Sequence, residues 1–322
     1  MALRGLMVLG LAEHPPARLF LRPSRLQHGL RTWLRISMDR GRGRHLPGRR
    51  DGPRYREASQ NPGLLPRYTP SMIIGPDLTR LVKSEDVAFA RNYLHEAGNS
   101  LSALTLHPRF SSSLKAEEDP SMEMLQMIAQ LETNVWGKDM LARLSGKAPP
   151  RKPIWIAESR TKEAPPQFKD AINWLRRLGA AAKLGVQVMM SQPHPSSFTN
   201  PTPDFWMMTL HKALVGRQVL DSKLISGNKT MIEAYSHCTQ TVHNPDTTIL
   251  DDTLVKYEKG AVTLFGVNMA DEKIRLNLKV NIKEEEIHKY ILTEGKDPVT
   301  GERITLFNNQ KLTLSPDGEI RY

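Results

Sequence analysis

The sequence predicts an α/β unit followed by an all-β unit, half of a (β/α)8 barrel leading into an antiparallel β-sandwich. Three observations carry that prediction. Between about Ser71 and Gly216, short continuous apolar runs alternate with amphipathic stripes at helical spacing, the pattern of βα units and a parallel sheet. After Gly216 the apolar period becomes two, as in half-buried antiparallel strands. The first region has room for four βα units, whereas a closed barrel takes about 250 residues and eight strands. Half a barrel leaves sheet edges open, so the sequence implies a partner chain or an incomplete version of a larger protein.

Residues 1–67 precede this pattern and differ from it in texture. They hold 14 Arg, no Lys and four acids (Glu13, Asp39, Asp51, Glu57), which gives +10 of the chain's formal +11. Arg42, Arg44, Arg49, Arg50, Arg54 and Arg56 lie among Gly and Pro, so the segment reads as a disordered leader. The positive charge belongs to this leader and marks no basic groove on the folded part, so no nucleic-acid partner is expected. Gly5–Ala12 suits a short signal-peptide core, but no small-residue cleavage site follows it. The Arg-rich, acid-poor composition equally suits a mitochondrial transit peptide, or flanking sequence joined to a domain without its own beginning. No apolar run approaches the roughly 20 residues of a spanning helix, so no transmembrane segment is expected.

In residues 68–216 the elements follow in order. Ser71–Asp77 reads as a strand, and Thr79–Ala97 as a helix with Val82, Phe89, Ala90, Tyr93, Leu94 and Ala97 on its stripe and Gly98 as its cap. Leu101–His107 is the second strand. The helix after it is expected over Pro120–Leu144, through Leu125, Ile128, Leu131, Val135 and Leu141. A third strand ends at Glu158, and a third helix spans about Gln167–Leu184. Val186–Gln192 is the fourth strand, and Thr202-Pro203-Asp204 opens a further helix with a cap residue, a first-turn Pro and a dipole-friendly acid.

Each of the four strands delivers a functional side chain: Asp77, His107, Glu158 and Gln192. In a β/α barrel the chemistry gathers where such strands end, at the C-terminal face. Taken singly, each residue has an ordinary role: Asp77 follows Gly-Pro and suits a turn, and Gln192 precedes Pro193 and could only end its strand. Four in succession read as the rim of an active site.

Residues 217–322 are read as the sandwich. Lys273–Val280 alternates strictly, and Met231–Thr239, Ala261–Met269, Ile287–Thr293 and Ile304–Phe307 are further strands. Asn308-Asn309 and Ser315–Gly318 are turn signals. The one cysteine, Cys238, excludes an internal disulfide and reads as a buried structural thiol. No zinc spacing, phosphate loop or nucleotide fingerprint occurs, so no metal or cofactor is expected.

Several short motifs, taken in order, carry a family resemblance. They are Gly75-Pro76-Asp77, Ile154–Glu158, Trp174–Gly179 leading into Gly185–Met189, Pro203–Trp206, Leu214–Gly216, Tyr235–Thr239 and Leu264–Asn268. In this order and spacing, residues 72–322 resemble the C-terminal half of the heparanase family, glycoside hydrolase family 79. The resemblance implies the second half of the barrel plus a sandwich, and a retaining glycosidase that cuts internal glucuronosyl linkages of heparan sulfate. Heparan sulfate proteoglycan, or a related acidic glycan, is the implied partner. A secreted, lysosomal or cell-surface location is implied, with peripheral membrane association at most. Glu158 matches the family's nucleophile, and Asp77, His107 and Gln192 stand as substrate-side residues.

The sequence departs from the family at several points. A retaining enzyme needs two carboxyl groups about 5–5.5 Å apart, and the family's acid/base Glu stands in an Asn-Glu-Pro that this sequence lacks; Asn61-Pro62-Gly63 is no substitute. The family's paired histidines become His107-Pro108. Its glycine-rich loop is shortened to Ser159–Ala164, and its basic cluster is thinned to Arg80 and Lys83. Cys238 matches a cysteine whose family partner lies near the C-terminus, and the chain ends at Tyr322 before reaching it, so the sandwich is expected to be incomplete there. Inactivity of the chain alone follows as an expectation, with Glu163 and Asp204 the first candidates should another carboxylate serve as the acid. The alternative is a catalytically dead carbohydrate-binding or interaction module on the same scaffold.

Overall fold

The computed structural model describes residues 5–11, 33–34, 72–108, 121–137, 149–157, 165–191, 194, 200–225, 232–240, 257–270, 274–278, 287–314 and 320–321. The first strand, Gly5–Leu11 (β1), lies in an antiparallel sheet. A parallel sheet follows in strict chain order: Trp33–Leu34 (β2), Met72–Leu78 (β3), Ala103–Leu106 (β4), Ile154–Ala157 (β5) and Val188–Met190 (β6). Helices Ser84–Ala97 (α1), Met122–Gln130 (α2) and Phe168–Lys183 (α3) connect β3 to β6. The continuous apolar runs have the burial expected of parallel strands: all four residues of β4 are buried, as are Ile154, Trp155 and Ile156. Leu78, Leu104, Leu106, Ile154 and Ile156 meet Tyr93 and Leu94 of α1 and Met124 and Met127 of α2 in one core.

Pro203–Leu214 (α4) runs without a loop into Val215–Leu220 (β7). The antiparallel sheet continues through Ile232–Thr239 (β8), Val262–Asn268 (β9), Ile287–Lys296 (β10), Arg303–Phe307 (β11) and Gln310–Lys311 (β12). Its order is β12-β11-β10-β1-β9-β8-β7. Thr313–Leu314 (β13) and Ile320–Arg321 (β14) form a separate two-stranded ladder. A second core joins Trp174 and Leu175 of α3 and Trp206, Met207 and Leu210 of α4 to Tyr235, Phe265, Val267, Tyr290 and Leu292 of the sheet.

Helix α3 is thus shared by both layers. Its Ala181 belongs to the first core and its Trp174 to the second. Buried Arg176 pairs with Glu233 on β8, Nη2 to Oε1 at 2.6 Å, and the Tyr235 hydroxyl donates to the other Glu233 oxygen at 2.8 Å. The helix that bridges β5 to β6 is in this way locked to the antiparallel sheet.

The structure differs from the sequence reading in four places. The first helix, expected from Thr79, begins at Ser84, so Val82, expected on its apolar stripe, lies ahead of it and is 64% exposed. Within the segment read as a disordered leader, Gly5–Leu11 is a strand flanked on both sides, by β9 and β10, and Trp33–Leu34 pairs with β3. A continuous apolar run of seven is the same signature for a signal-peptide core and for a central strand, and here it pairs. The other residues of 1–67 lie outside the described residues. The helix expected over Pro120–Leu144 stops at Gln130 and widens into a π turn over Leu131–Val135, where the Trp136 amide donates to Leu131 O at 2.9 Å. Residues 274–278 form no ladder, although Ile274, Leu276 and Leu278 are half-buried while Arg275 and Asn277 are exposed. Alternation fixes which side faces inward, but a strand also needs a neighbour to accept its hydrogen bonds. The turn at Asn308-Asn309 is present, both residues at positive φ, whereas Ser315–Gly318 lies outside the described residues.

Candidate active site

Because the parallel strands run in one direction, their C-terminal ends share one rim. Asp77 is the penultimate residue of β3, and His107 follows β4 directly. Glu158 is the next residue after β5 and Gln192 the second after β6. Glu158 and Gln192 lie outside the described residues, as does Glu163, so of the expected site residues the described rim carries Asp77 and His107. The ends of β3 and β4 are tied together, the His107 amide donating to Leu78 O at 2.7 Å.

Asp77 has an unusual backbone. Its φ is 66°, in the left-handed region that non-glycine residues seldom adopt within a strand. The register explains where this occurs. Gly75 pairs with Leu104 and Leu78 with Leu106, so Pro76 and Asp77 together oppose the single residue Thr105. That is a β-bulge, a device that bends a strand and re-aims a side chain. Pro76 has no N–H to donate there, and the Asp77 N–H donates to Thr105 Oγ1 at 2.7 Å. Thr105 was not singled out in the sequence, where it is one residue inside an apolar run; its role becomes visible only once the register is known.

The two cations near the rim are differently disposed. Arg80 Nε is 3.1 Å from Asp86 Oδ2, so its charge is engaged at the start of α1. Burial opposes the charged form of Asp86, but the Lys83 amide, the Arg80 side chain and the Val82 amide outweigh it and hold its carboxyl below the usual range. The same carboxylate accepts from the Lys83 amide at 3.0 Å, capping the helix, while the Lys83 side chain is exposed. Asp204 is buried in the first turn of α4. Cys238, expected to be buried, is only half-buried, and its thiol donates to Gln218 Oε1 at 3.2 Å. Among the described residues no group of His, Cys, Asp and Glu could hold a metal ion, and no helix is long and apolar enough to cross a membrane.

No family model matches the chain. It is similar to a hyaluronoglucuronidase of Hirudo nipponia, 25% identical over 268 residues, covering 78% of this chain and 51% of the relative. It is also similar to the heparanase of Rattus norvegicus, 24% identical over 257 residues, with 75% of this chain and 45% of that protein covered. A protein of Homo sapiens named inactive heparanase-2 is 22% identical over 280 residues, covering 79% of this chain and 44% of that protein. The chain therefore spans about half the length of the curated relatives it matches.

Proposed function

We propose that this heparanase-like chain carries the nucleophile side of a retaining glycoside hydrolase site, with Glu158 as the attacking carboxylate and glucuronosyl linkages of heparan sulfate as the substrate class. The observation that supports it is that β5, buried at Ile154, Trp155 and Ile156, ends at Ala157, the residue before Glu158 in the sequence, on the same edge of the sheet where the ends of β3 and β4 carry Asp77 and His107. Relatives named hyaluronoglucuronidase and heparanase support the reaction class. On this reading residues 68–216 are the second half of a (β/α)8 barrel and residues 217–322 a β-sandwich. The location is secreted, lysosomal or at a cell-surface proteoglycan.

Glu158 would attack the anomeric carbon while the leaving oxygen takes a proton from a second carboxyl group, and water would then release the glycosyl-enzyme ester. Asp77, His107 and Gln192 would hold the sugar hydroxyls around that carbon. The sequence contains no Asn-Glu-Pro to supply the proton. The chain by itself is accordingly read as unable to depolymerise heparan sulfate, though still able to bind it.

A second reading, a binding scaffold with no chemistry, is favoured by the similarity to inactive heparanase-2 and by His107-Pro108 in place of a histidine pair. An activated aryl glucuronide separates the two, because its leaving group needs no proton. A slow burst of aryl alcohol that vanishes in Glu158→Gln supports the first reading. Binding of a heparan sulfate oligosaccharide without any burst supports the second, and neither binding nor burst rejects both.

A further inference from the structure

We infer that Thr105 is a positioning residue for the rim, its hydroxyl fixing the left-handed backbone that aims Asp77. Thr105 is almost completely buried on β4, at 2% exposure, and is the one residue facing the two-residue bulge Pro76-Asp77. A bulge takes one amide out of the backbone ladder, and that amide must find another acceptor. Pro76 removes the problem at its own position by having no N–H. The Asp77 N–H is left, and Thr105 Oγ1 accepts it at 2.7 Å.

The alternatives to this arrangement are costly. A non-glycine residue held in the left-handed region is strained and persists only where its surroundings over-determine it. Two ties do so here, one on either side of the Asp77 Cα. The Asp77 amide is held by Thr105, and the Leu78 carbonyl by the His107 amide at 2.7 Å. Both run from β4 to β3. The same strand therefore delivers His107 to the rim and sets the direction in which Asp77 leaves it. Thr105 also stands in register with Trp155 on β5, three residues before Glu158. Its hydroxyl sits in the middle strand of the three that lead to Asp77, His107 and Glu158.

Two readouts test this on the full chain, and only the second rests on the reading of the rim as a glycan site. The first is the amide-to-α-proton coupling of Asp77, which reports φ directly, in protein labelled with heavy nitrogen at aspartate. The second is affinity for a heparan sulfate octasaccharide. Thr105→Val keeps the shape and removes the acceptor; Thr105→Ser keeps the acceptor and removes the methyl. In Thr105→Val the Asp77 coupling leaves its wild-type value and octasaccharide affinity falls about five- to tenfold, the loss of one well-placed hydrogen bond. Thr105→Ser retains both. Thr105→Ala, equally without an acceptor, replaces the Val variant should that fail to fold. An unchanged Asp77 coupling without the hydroxyl overturns the inference, as does a Ser variant as impaired as Val. A wild-type chain that does not bind the octasaccharide rejects the glycan reading, and the coupling then decides the positioning role alone.

Discussion

The ring of Tyr235 occupies the space where a Cβ on Gly179 would stand, so helix α3 and strand β8 approach more closely there than any larger residue permits. Lys183 lies one helical turn on, its ammonium 5.2 Å from the centroid of the same ring. Gly179 is a helix-interior glycine, normally a disadvantage, and this contact is its physical reason.

Gly179→Ala should therefore destabilise the chain although alanine is the better helix former. Overpacking costs typically about 1–3 kcal/mol, against a propensity gain of about 1 kcal/mol. A net loss of stability, read from the urea midpoint, is the expected outcome, and Gly179→Val should lose more. The pair Gly179→Ala with Tyr235→Leu should recover part of it, because the overlapping ring is gone. A Gly179→Ala chain as stable as wild type, or more so, would show that the ring moves freely aside.

Arg176→Met should weaken the junction between the two layers. Arg176 is buried, while the Glu233 side chain keeps 26% of its exposure. Removing one partner of a buried pair strands the other charge, at about 3–5 kcal/mol when both are buried, and partial hydration of Glu233 places this case at the lower end or below. Double replacement by Met at 176 and 233 should cost less than Arg176→Met alone, except for the hydrogen bond lost by Tyr235. If the double variant is the less stable of the two, the cost comes from packing rather than from a stranded carboxylate.

Acidification should loosen the same junction. His211 on α4 and His237 on β8 both lie against Phe265, with ring centroids 5.1 and 5.3 Å away. Burial, and then the neighbouring His237, push the His211 pKa down from its ordinary 6.5 to about 3. Burial also lowers the pKa of His237, against the opposing effect of its 2.8 Å contact with Gly216 O. Both are neutral in the folded chain at neutral pH. Below pH 6.5 the unfolded chain takes up the protons first, so stability is present above that value and is lost as pH falls towards 3. The slope is at most about 1.4 kcal/mol per pH unit for each group. Free carboxylates titrate near pH 4, so denaturant midpoints at pH 7 and pH 5 read the histidines. His211→Gln should flatten the difference, and equal midpoints for the wild type at the two values would refute the prediction.

These junctions show what a sequence can and cannot carry. The strand ends at Asp77 and His107 were legible because a buried parallel strand is a continuous apolar run with a polar stop. Helix α3 was legible from its stripe, within a residue at either end. Strand β1 was not, since Gly5–Leu11 is apolar throughout and its partners lie more than two hundred residues away. Residues 274–278 failed the other way, with local alternation and no ladder. Thr105 and Gly179 carry no local signal at all: the first matters through register across two strands, the second through a ring on another layer.

Loss of a general acid typically costs about 10²–10⁴ in rate, because the leaving oxygen departs without its proton. For this chain the loss should be larger, since the sequence has neither the Asn-Glu-Pro acid nor the histidine pair. The purified chain is expected to give no detectable shortening of heparan sulfate on size-exclusion chromatography. An aryl glucuronide should instead yield at most one slow turnover, because no base remains to activate the water that hydrolyses the ester. Intact-mass spectrometry should then find a glycosyl adduct in the wild type and none in Glu158→Gln. Depolymerisation that depends on Glu158 would mean that another carboxylate donates the proton. Glu163→Gln and Asp204→Asn would identify it, although Asp204, at 3% exposure in the first turn of α4, is poorly placed to reach a polymer.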